Sequence, residues 1–344
     1  MAPCWSRRLM LPPSGDLYWC LHSTWLARGL YVVASLGIAD LLKDGPRNIK
    51  DLAEATQSHE KSLYRVLRML AAFGIFDERK PEVFQLTSSS RCLLSDAQNS
   101  LKYWAIQTGH EGWIASTAVL ESVKNGRSGL QNVRGQNLWE FYQEFPEAHK
   151  NFVQGMDAFS EWQCNEIVPA YPFGKFKKLV DVGGGRGSMI SRVLKEHPHL
   201  KGVLYDQPAT IEQAKPFFEK LGLTQRCELI GGSFLESVPS GADGYMLKHV
   251  LHDWDDENAV RILKSCRNAM SSEATVLVVN GVIRQGNNTD RLMKLNDVQA
   301  MLELGGGVRT LEDFKRLFQL AGLKLIGYTS TTILDASILE VKTI

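Results

Sequence analysis

One segment, Leu179 to Asp256, constrains this chain more than any other. It opens on an apolar run, Leu179, Val180 and Val182 with Asp181 inside it, and breaks at Gly183-Gly184-Gly185-Arg186-Gly187. An apolar run that stops at glycines reads as a buried strand entering a tight turn. Met189, Ile190, Val193 and Leu194 then recur at helical spacing, so a helix follows over 188–196. Strand, glycine turn and helix begin a βαβ unit. The glycines permit positive φ and close backbone approach, and the helix N-terminus favours a carboxylate or phosphate.

The spacing narrows the ligand. Gly183-x-Gly185-x-Gly187 is present, but Ser188 stands where the dinucleotide fingerprint requires its third glycine. After Val203-Leu204-Tyr205, Asp206 ends the next strand, placed to accept hydrogen bonds from both hydroxyls of a ribose. A ribose without an obligatory pyrophosphate site suits S-adenosylmethionine (SAM) better than NAD, with a ligand-free glycine turn as the third reading. The segment closes on LKHVLHDWDD, where His252 could meet a second reactant beside that cofactor.

The 344 residues suffice for two domains, each with its own core. A net charge of +1 gives no global electrostatic case for nucleic acid or an anionic membrane surface. The six cysteines, Cys4, Cys20, Cys92, Cys164, Cys227 and Cys266, form no CxxC pair. Neither a metal site nor a disulfide framework is expected, and reduced thiols in the cytoplasm are the simpler reading. Arg7 and Arg8 precede Pro12, Pro13, Gly15 and Asp16, which interrupt any signal-peptide core. No apolar stretch approaches the ~20 residues of a membrane span.

Residues 17–43 read as one helix with a broad apolar face, ended by Gly45-Pro46. Ile49 to Ala55 is a short helix, and Ser58 reads as the cap of the next, which carries Leu63, Val66, Leu67 and Leu70. Ile75-Phe76-Asp77 and Val83 to Leu86 flank a charged turn, a small hairpin. Helix, helix, hairpin is a winged-helix pattern, which invites a DNA-binding reading. Its only support is Lys61, Arg65 and Arg68, which read better as the solvated face of an amphipathic helix.

Residues 100–170 read as helical and aromatic-rich, with Tyr103, Trp104, Trp113, Trp139, Phe141, Tyr142, Phe145, Phe152, Phe159 and Trp162. Most are expected in the core, and a minority in a pocket for a flat apolar ligand. Beyond the linker Tyr171 to Gly174, strands are expected at 179–182, 202–205, 227–230, 243–247, 275–279, 323–328 and 333–341. Helices are expected at 188–196, 208–221, 256–270 and 311–321. This alternation predicts an α/β fold with a doubly wound, mostly parallel Rossmann-like sheet. The expected division is a mainly helical winged-helix-like domain over 1–100, a helical connection over 101–173, and the cofactor domain over 174–344. Sheets of this kind bind ligands at the carboxyl ends of their strands, where Asp206, Ser233 and the Lys248–His252 stretch should converge.

LVDVGGGRGS, LYDQPA, LIGGSFLES, LKHVLHDWDDENAVRIL and GGGVRTLEDFKRLFQLAGL together resemble the SAM-dependent small-molecule O-methyltransferases of the caffeate and acetylserotonin type. YVVASLGIADLL, IKDLAEAT and LYRVLRMLAAFGIF resemble that family's helical dimerisation domain, so the match covers nearly the whole chain. The resemblance implies a homodimer, with SAM as cofactor, no metal and a small aromatic acceptor. It puts Gly183 at the amino-acid end of SAM, Asp206 at the ribose, Ser233 and Phe234 beside the adenine, and Lys248 near it. Tyr142 and Ser160 fall where some members contact the methionine portion. Met156 matches a residue touching the acceptor ring and Asp297 a position that faces substrate; Met301, Asn280 and His249 are expected on the same side, a structural role being the equal alternative for His249. His252 matches the catalytic base. A neutral imidazole, with a pKa near ~6.5, takes the acceptor's proton as the hydroxyl attacks. Asp253, Asp255 and Asp256 read as caps of the helix that follows.

The pattern breaks at the acids that steer the histidine in relatives. One position reads Asn280, in VLVVNGVI, and the other Val308, in GGGVRT. Valine cannot orient an imidazole, and asparagine can bond it but carries no countercharge. Ser233 likewise replaces an acid on the adenine side, while Asp297 is retained and could compensate in part. Two readings remain for the reaction: methyl transfer to oxygen, or a non-methylating hydroxylation, decarboxylation or cyclisation in which the sulfonium acts electrostatically. A non-catalytic SAM- or DNA-binding regulator is a third class, and the retained His252 argues against it.

Overall fold

The computed structural model describes residues 12–97, 100–286, 289–331 and 336–344. It divides into two compact units: the chain up to Trp113 with Tyr142–Phe159, and Ile114–Phe141 with Ser160–Ile344.

In the first unit the helix expected over 17–43 is three helices, Pro13–His22, Thr24–Ser35 and Ile38–Leu41. The last break falls at Gly37, whose φ of +65° is left-handed backbone that glycine adopts without strain. Ile49–Ala55 forms as expected, with the Asn48 side chain accepting from Asp51 N. Ser58 does not cap the next helix, Glu60–Ala72, which begins after His59; its hydroxyl is bonded by Thr56 instead. Lys61, Arg65 and Arg68 are exposed on that helix, while Leu63, Leu67 and Leu70 are buried. The hairpin is present as β2 (Phe76–Lys80) and β3 (Val83–Leu86), and β1 (Arg47–Asn48) adds a third, antiparallel strand. Its core gathers Ile38, Leu52, Leu67, Phe76 and Phe84.

The second unit is built on a seven-stranded sheet. Its parallel part is β4 (Lys178–Val182), β5 (Lys201–Asp206), β6 (Cys227–Gly231), β7 (Gly244–Lys248) and β8 (Thr275–Asn280). With the two-residue strands β9 (Val282–Ile283) and β10 (Arg309–Thr310) set apart in their own parallel pair, the sheet is completed by β11 (Leu323–Ser330) and β12 (Ser337–Thr343). The order is β11-β12-β8-β7-β4-β5-β6, with β12 antiparallel to β8 and β11 antiparallel to β12. The first residues of the last expected strand, 333–335, lie outside the described residues. Helices Ser188–Glu196, Pro208–Lys220, Asp256–Ala269 and Leu311–Leu320 match the sequence reading, and Arg291–Glu303 is an additional helix.

The two faces of the sheet bury alternate residues. Val180, Val182, Tyr245, Leu247, Val276 and Val278 pack on the helices 256–269 and 311–320. Leu179, Leu204, Met246, Leu277 and Val279 pack on the helices 188–196 and 208–220. Strands covered on both faces read as continuous apolar runs, which is why β4 and β8 are legible in sequence. The aromatic-rich region differs from expectation. Of its ten aromatics only Phe141 and Tyr142 are buried, and Trp113 and Trp162 are exposed. Part-exposed rings cover one another instead, as where Trp104 stacks on Phe159 at 5.9 Å.

Leu277→Ala, in the middle of β8 and wholly buried, should leave a cavity and cost about 2–5 kcal/mol, read as a lower urea midpoint for the second unit.

Candidate functional site

The site is assembled at the carboxyl ends of β4, β5, β7 and β8. The turn after β4 holds Gly183, Gly185 and Gly187 at φ of +69°, +59° and +86°. A Cβ at Gly183 would stand 2.8 Å from Val250 Cγ2, and one at Gly187 2.5 Å from Phe218. At the end of β5, Asp206 accepts from Gly185 N at 2.8 Å and Gln207 N at 2.7 Å, which ties the acid to the glycine turn. Ser233 caps a turn through its carbonyl, which accepts from Glu236 N and Ser237 N, and Phe234 meets Trp254 edge-on at 5.9 Å. The Phe234 ring also lies against Gly183. Under the turn, Asp181 is fully buried and neither carboxylate oxygen has a hydrogen-bond partner of good geometry. Burial pushes its pKa up to about 7, against an opposing pull from Lys248. A glycine cradle, a carboxylate tied to it, an aromatic face and a buried acid fit an adenosine carrying a cationic amino-acid tail.

Past β7 the chain turns sharply. Lys248 donates to Ser160 Oγ at 3.0 Å. His249 is left-handed, at φ +54°, its Nε2 lies 2.8 Å from Gln163 Nε2, and its ring stands edge-on to His252 at 5.3 Å. Left-handed backbone in a non-glycine residue is strained and clusters at functional positions. Leu251–Asp253 is a single 3₁₀ turn that carries His252.

The His252 ring is held from both ends. Nδ1 lies 2.8 Å from Asn280 Nδ2, and Nε2 lies 3.1 Å from Asp253 Oδ1. Burial pushes His252 down to about 4, with Arg309 and Lys248 adding to the shift, and burial pushes Asp253 up to about 8. Both side chains remain about one-fifth exposed, so water tempers these shifts, but the direction is the same for each: toward the neutral form. Asn280 is buried, and an amide can donate to Nδ1 or, turned over, accept from Nδ1–H. A carboxylate there could only accept.

The three acids after His252 therefore have three different roles. Asp255 is the helix cap, accepting from Asn258 N. Asp256 pairs with Arg309 and Arg316. Asp253 is no cap and faces the imidazole. Val308 brings no side-chain polarity, and its N–H donates to Asp297 Oδ1 at 2.9 Å. Asp297 thus holds the chain at 308, and Met301 lies one turn further along the same helix face. Tyr142 and Met156 belong to the first unit. There Tyr142 donates to the buried Glu111 at 3.0 Å and stacks on His149 at 5.4 Å, and Met156 is half-buried. Sequence reading passed over Asp253 as a neighbour of His252 and over Arg309. The available signal was that only one of three consecutive-turn acids can be an N-cap. Among the described residues no three His, Cys, Asp or Glu are grouped to hold a metal ion, and no helix is long and apolar enough to cross a membrane.

The O-methyltransferase domain model matches residues 117–324, and the O-methyltransferase dimerisation domain model matches residues 20–96. A phenazine O-methyltransferase of Lysobacter antibioticus is 34% identical over 315 residues, 92% of each chain. A phenazine-1-carboxylate N-methyltransferase of Pseudomonas aeruginosa is 30% identical over 303 residues, 88% of this chain and 90% of that one. A crystal structure of an O-methyltransferase from neocarzinostatin biosynthesis, in complex with S-adenosyl-L-homocysteine and 1,4-dihydroxy-2-naphthoic acid, aligns with a TM-score of 0.82. It is 30% identical, covering 93% of this chain and 96% of that one. The chain belongs to the O-methyltransferase family, a family of SAM-dependent methyltransferases with N-methylating members among its relatives.

Asn280→Asp should lift the His252 pKa from about 4 toward the ordinary imidazole value, because an ionised carboxylate at Nδ1 favours the imidazolium; a ring C–H titration by NMR reads it.

Proposed function

We propose that this protein is a homodimeric, cytoplasmic enzyme that transfers the methyl of SAM to a hydroxyl of a small aromatic acceptor, with His252 as general base. The observation that carries this reading is the placement of a partly buried imidazole, its pKa lowered toward the neutral form, beside a glycine cradle fitted to an adenosine ligand. Bound SAM supplies a methyl group already activated on a sulfonium. The protein's own residues then have two tasks. Gly183, Asp206, Ser233, Phe234 and Lys248 hold the cofactor, and His252 removes the acceptor's proton. For that task Asn280 turns its Oδ1 to accept from Nδ1–H, which leaves the lone pair on Nε2. The acceptor hydroxyl takes the place of Asp253 at Nε2, while His249, Asp297 and Met301 lie on the substrate side. Positioning within hydrogen-bond reach supplies a large share of the rate.

The neutral partner at Asn280 and the apolar Val308 favour one competing reading, a reaction that uses the sulfonium electrostatically without moving the methyl. Incubation with methyl-labelled SAM and a panel of phenols, with matched arylamines, separates the two. The expected result is labelled ether and stoichiometric S-adenosylhomocysteine, with His252→Ala lowering turnover about 10²–10⁴-fold. An acceptor converted without S-adenosylhomocysteine would falsify methyl transfer, and labelled amine alone would move the acceptor atom to nitrogen.

Turnover should also keep its acid tolerance. The base is competent when unprotonated, so activity is lost only as pH falls through the pKa of about 4, well below a free imidazole; a kcat/KM profile from pH 3.5 to 8 reads this.

A further inference from the structure

The turn that carries His252 cannot hold itself. It is three residues long, and its internal bonding amounts to Asp253 N on Val250 O at 3.1 Å. The carbonyls of Leu251, His252 and Trp254 are satisfied from one other segment, Gly306 to Arg309. Arg309 Nη1 donates to Leu251 O at 2.5 Å and Nη2 to Trp254 O at 2.7 Å. Gly307 N donates to His252 O at 2.9 Å. The approach is so close that a Cβ at Gly306 would stand 2.1 Å from His252 O.

The same arginine is tied to the other support of the imidazole. In the β9–β10 pair Arg309 is registered on Val282, two residues after Asn280. Its Nε donates to Asp256 Oδ1 at 3.0 Å, and its side chain is only 8% exposed, so the guanidinium is a fixed strut.

We propose that Arg309 is a positioning residue: by gripping the carbonyls on either side of His252, it fixes the turn relative to Asn280 and so holds the imidazole where Nε2 can reach the acceptor. The proposal rests on the reading of His252 as base. The planar, five-donor guanidinium is suited to span two carbonyls and a carboxylate, which a lysine ammonium is not. It also brings a permanent positive charge near the ring, which disfavours the imidazolium. The other ionisable groups about the ring are Lys248 and His249 at the end of β7 and Asp253 on the turn itself. Asp256 and Arg316 lie beyond Arg309.

The test compares Arg309→Met, Arg309→Lys and, as control, Arg316→Gln, which loses only an exposed ion pair to Asp256. SAM affinity is read by calorimetry, kcat and KM over pH, and His252 ring signals by NMR. Arg309→Met should bind SAM near-normally and lose about 100-fold in kcat, the scale of a misplaced reacting group. With the charge gone, its acid limb and the His252 titration should both move to higher pH. Arg309→Lys keeps a charge, so the limb should stay while kcat still falls; it also serves if the Met variant does not fold. Arg316→Gln should match the parent in both. The proposal is overturned if Arg309→Met keeps kcat within about threefold of the parent. It is equally overturned if both Arg309 variants lose activity only in step with thermal stability while the His252 titration stays still. Failure of the underlying reading looks different: His252→Ala would retain turnover, whatever the ring titration in the Arg309 variants.

Discussion

The parallel register of β4, β5, β7 and β8 is the constraint on which the rest depends. Val182 pairs with Tyr205, Asp181 with Met246, and Lys248 with Val279. Backbone hydrogen bonding thereby brings the last residues of four strands to one edge. Each ends on or leads at once into a chemically distinctive group: Gly183 after β4, Asp206 as the last residue of β5, the turn to His252 after β7, and Asn280 as the last residue of β8. No side-chain contact is needed to assemble them, and the direction in which strands are added reverses at β4, which opens the crevice where doubly wound sheets take ligands. The cost of such a sheet is that it must be covered on both faces, and the two apolar layers of the second unit do that.

Within that frame the imidazole is unusual in its company rather than its position. A carboxylate at Nδ1 would accept a hydrogen bond from Nδ1–H, fix one tautomer and raise the basicity of the ring. Asn280 can serve either tautomer and adds no charge, so the ring's behaviour is left to burial and to two cations, Lys248 and Arg309. Asp253 answers on the Nε2 side, but burial drives it neutral as well. Burial therefore shifts both His252 and Asp253 toward their neutral forms, while Arg309 keeps its charge beside Asp256. That arrangement lowers the desolvation cost of burying them together.

Much of this was legible in the residues alone, and for identifiable reasons. A strand covered on both faces has a continuous apolar signature, and a turn needing positive φ selects glycine, so β4 and the Gly183–Gly187 turn stood out. Ile49–Ala55 and Ser188–Glu196 fell at their expected bounds because their periodicity and breakers agree. The helix over 17–43 was read too long, since Ser23 and the Leu36-Gly37 corner leave the apolar face unbroken while turning the backbone. The helix Arg291–Glu303 was missed because Leu292, Leu295 and Val298 sit on its exposed side, which blurs the stripe that reveals an amphipathic helix. At the site, Asp206 was found because it ends the strand after the glycine turn, and His252 and Asn280 because they stand in the family-like motifs LKHVLHDWDD and VLVVNGVI. Arg309 lies 57 residues from His252 and acts through carbonyl oxygens, which every residue has. Contacts to backbone leave no side-chain pattern to read at the partner.

With His252 as the proposed base, the two cations beside it would act on both partners of the proton transfer. By disfavouring the imidazolium they make Nε2 a weaker base, and by the same field they make any hydroxyl placed within hydrogen-bond reach of Nε2 a stronger acid. The difference between the two pKa values, which drives the transfer, changes much less than either value does. What changes is the range of pH over which the base stays unprotonated, and that range widens on the acid side. A negatively charged partner in place of Asn280 would reverse both effects and again leave the difference nearly constant. On that reading a neutral Asn280 and an apolar Val308 are compatible with base catalysis, provided the geometry that keeps ring and acceptor together survives. On the proposed reading, that geometry depends on the carbonyls of Leu251, His252 and Trp254 being held, and not on the charge at Nδ1.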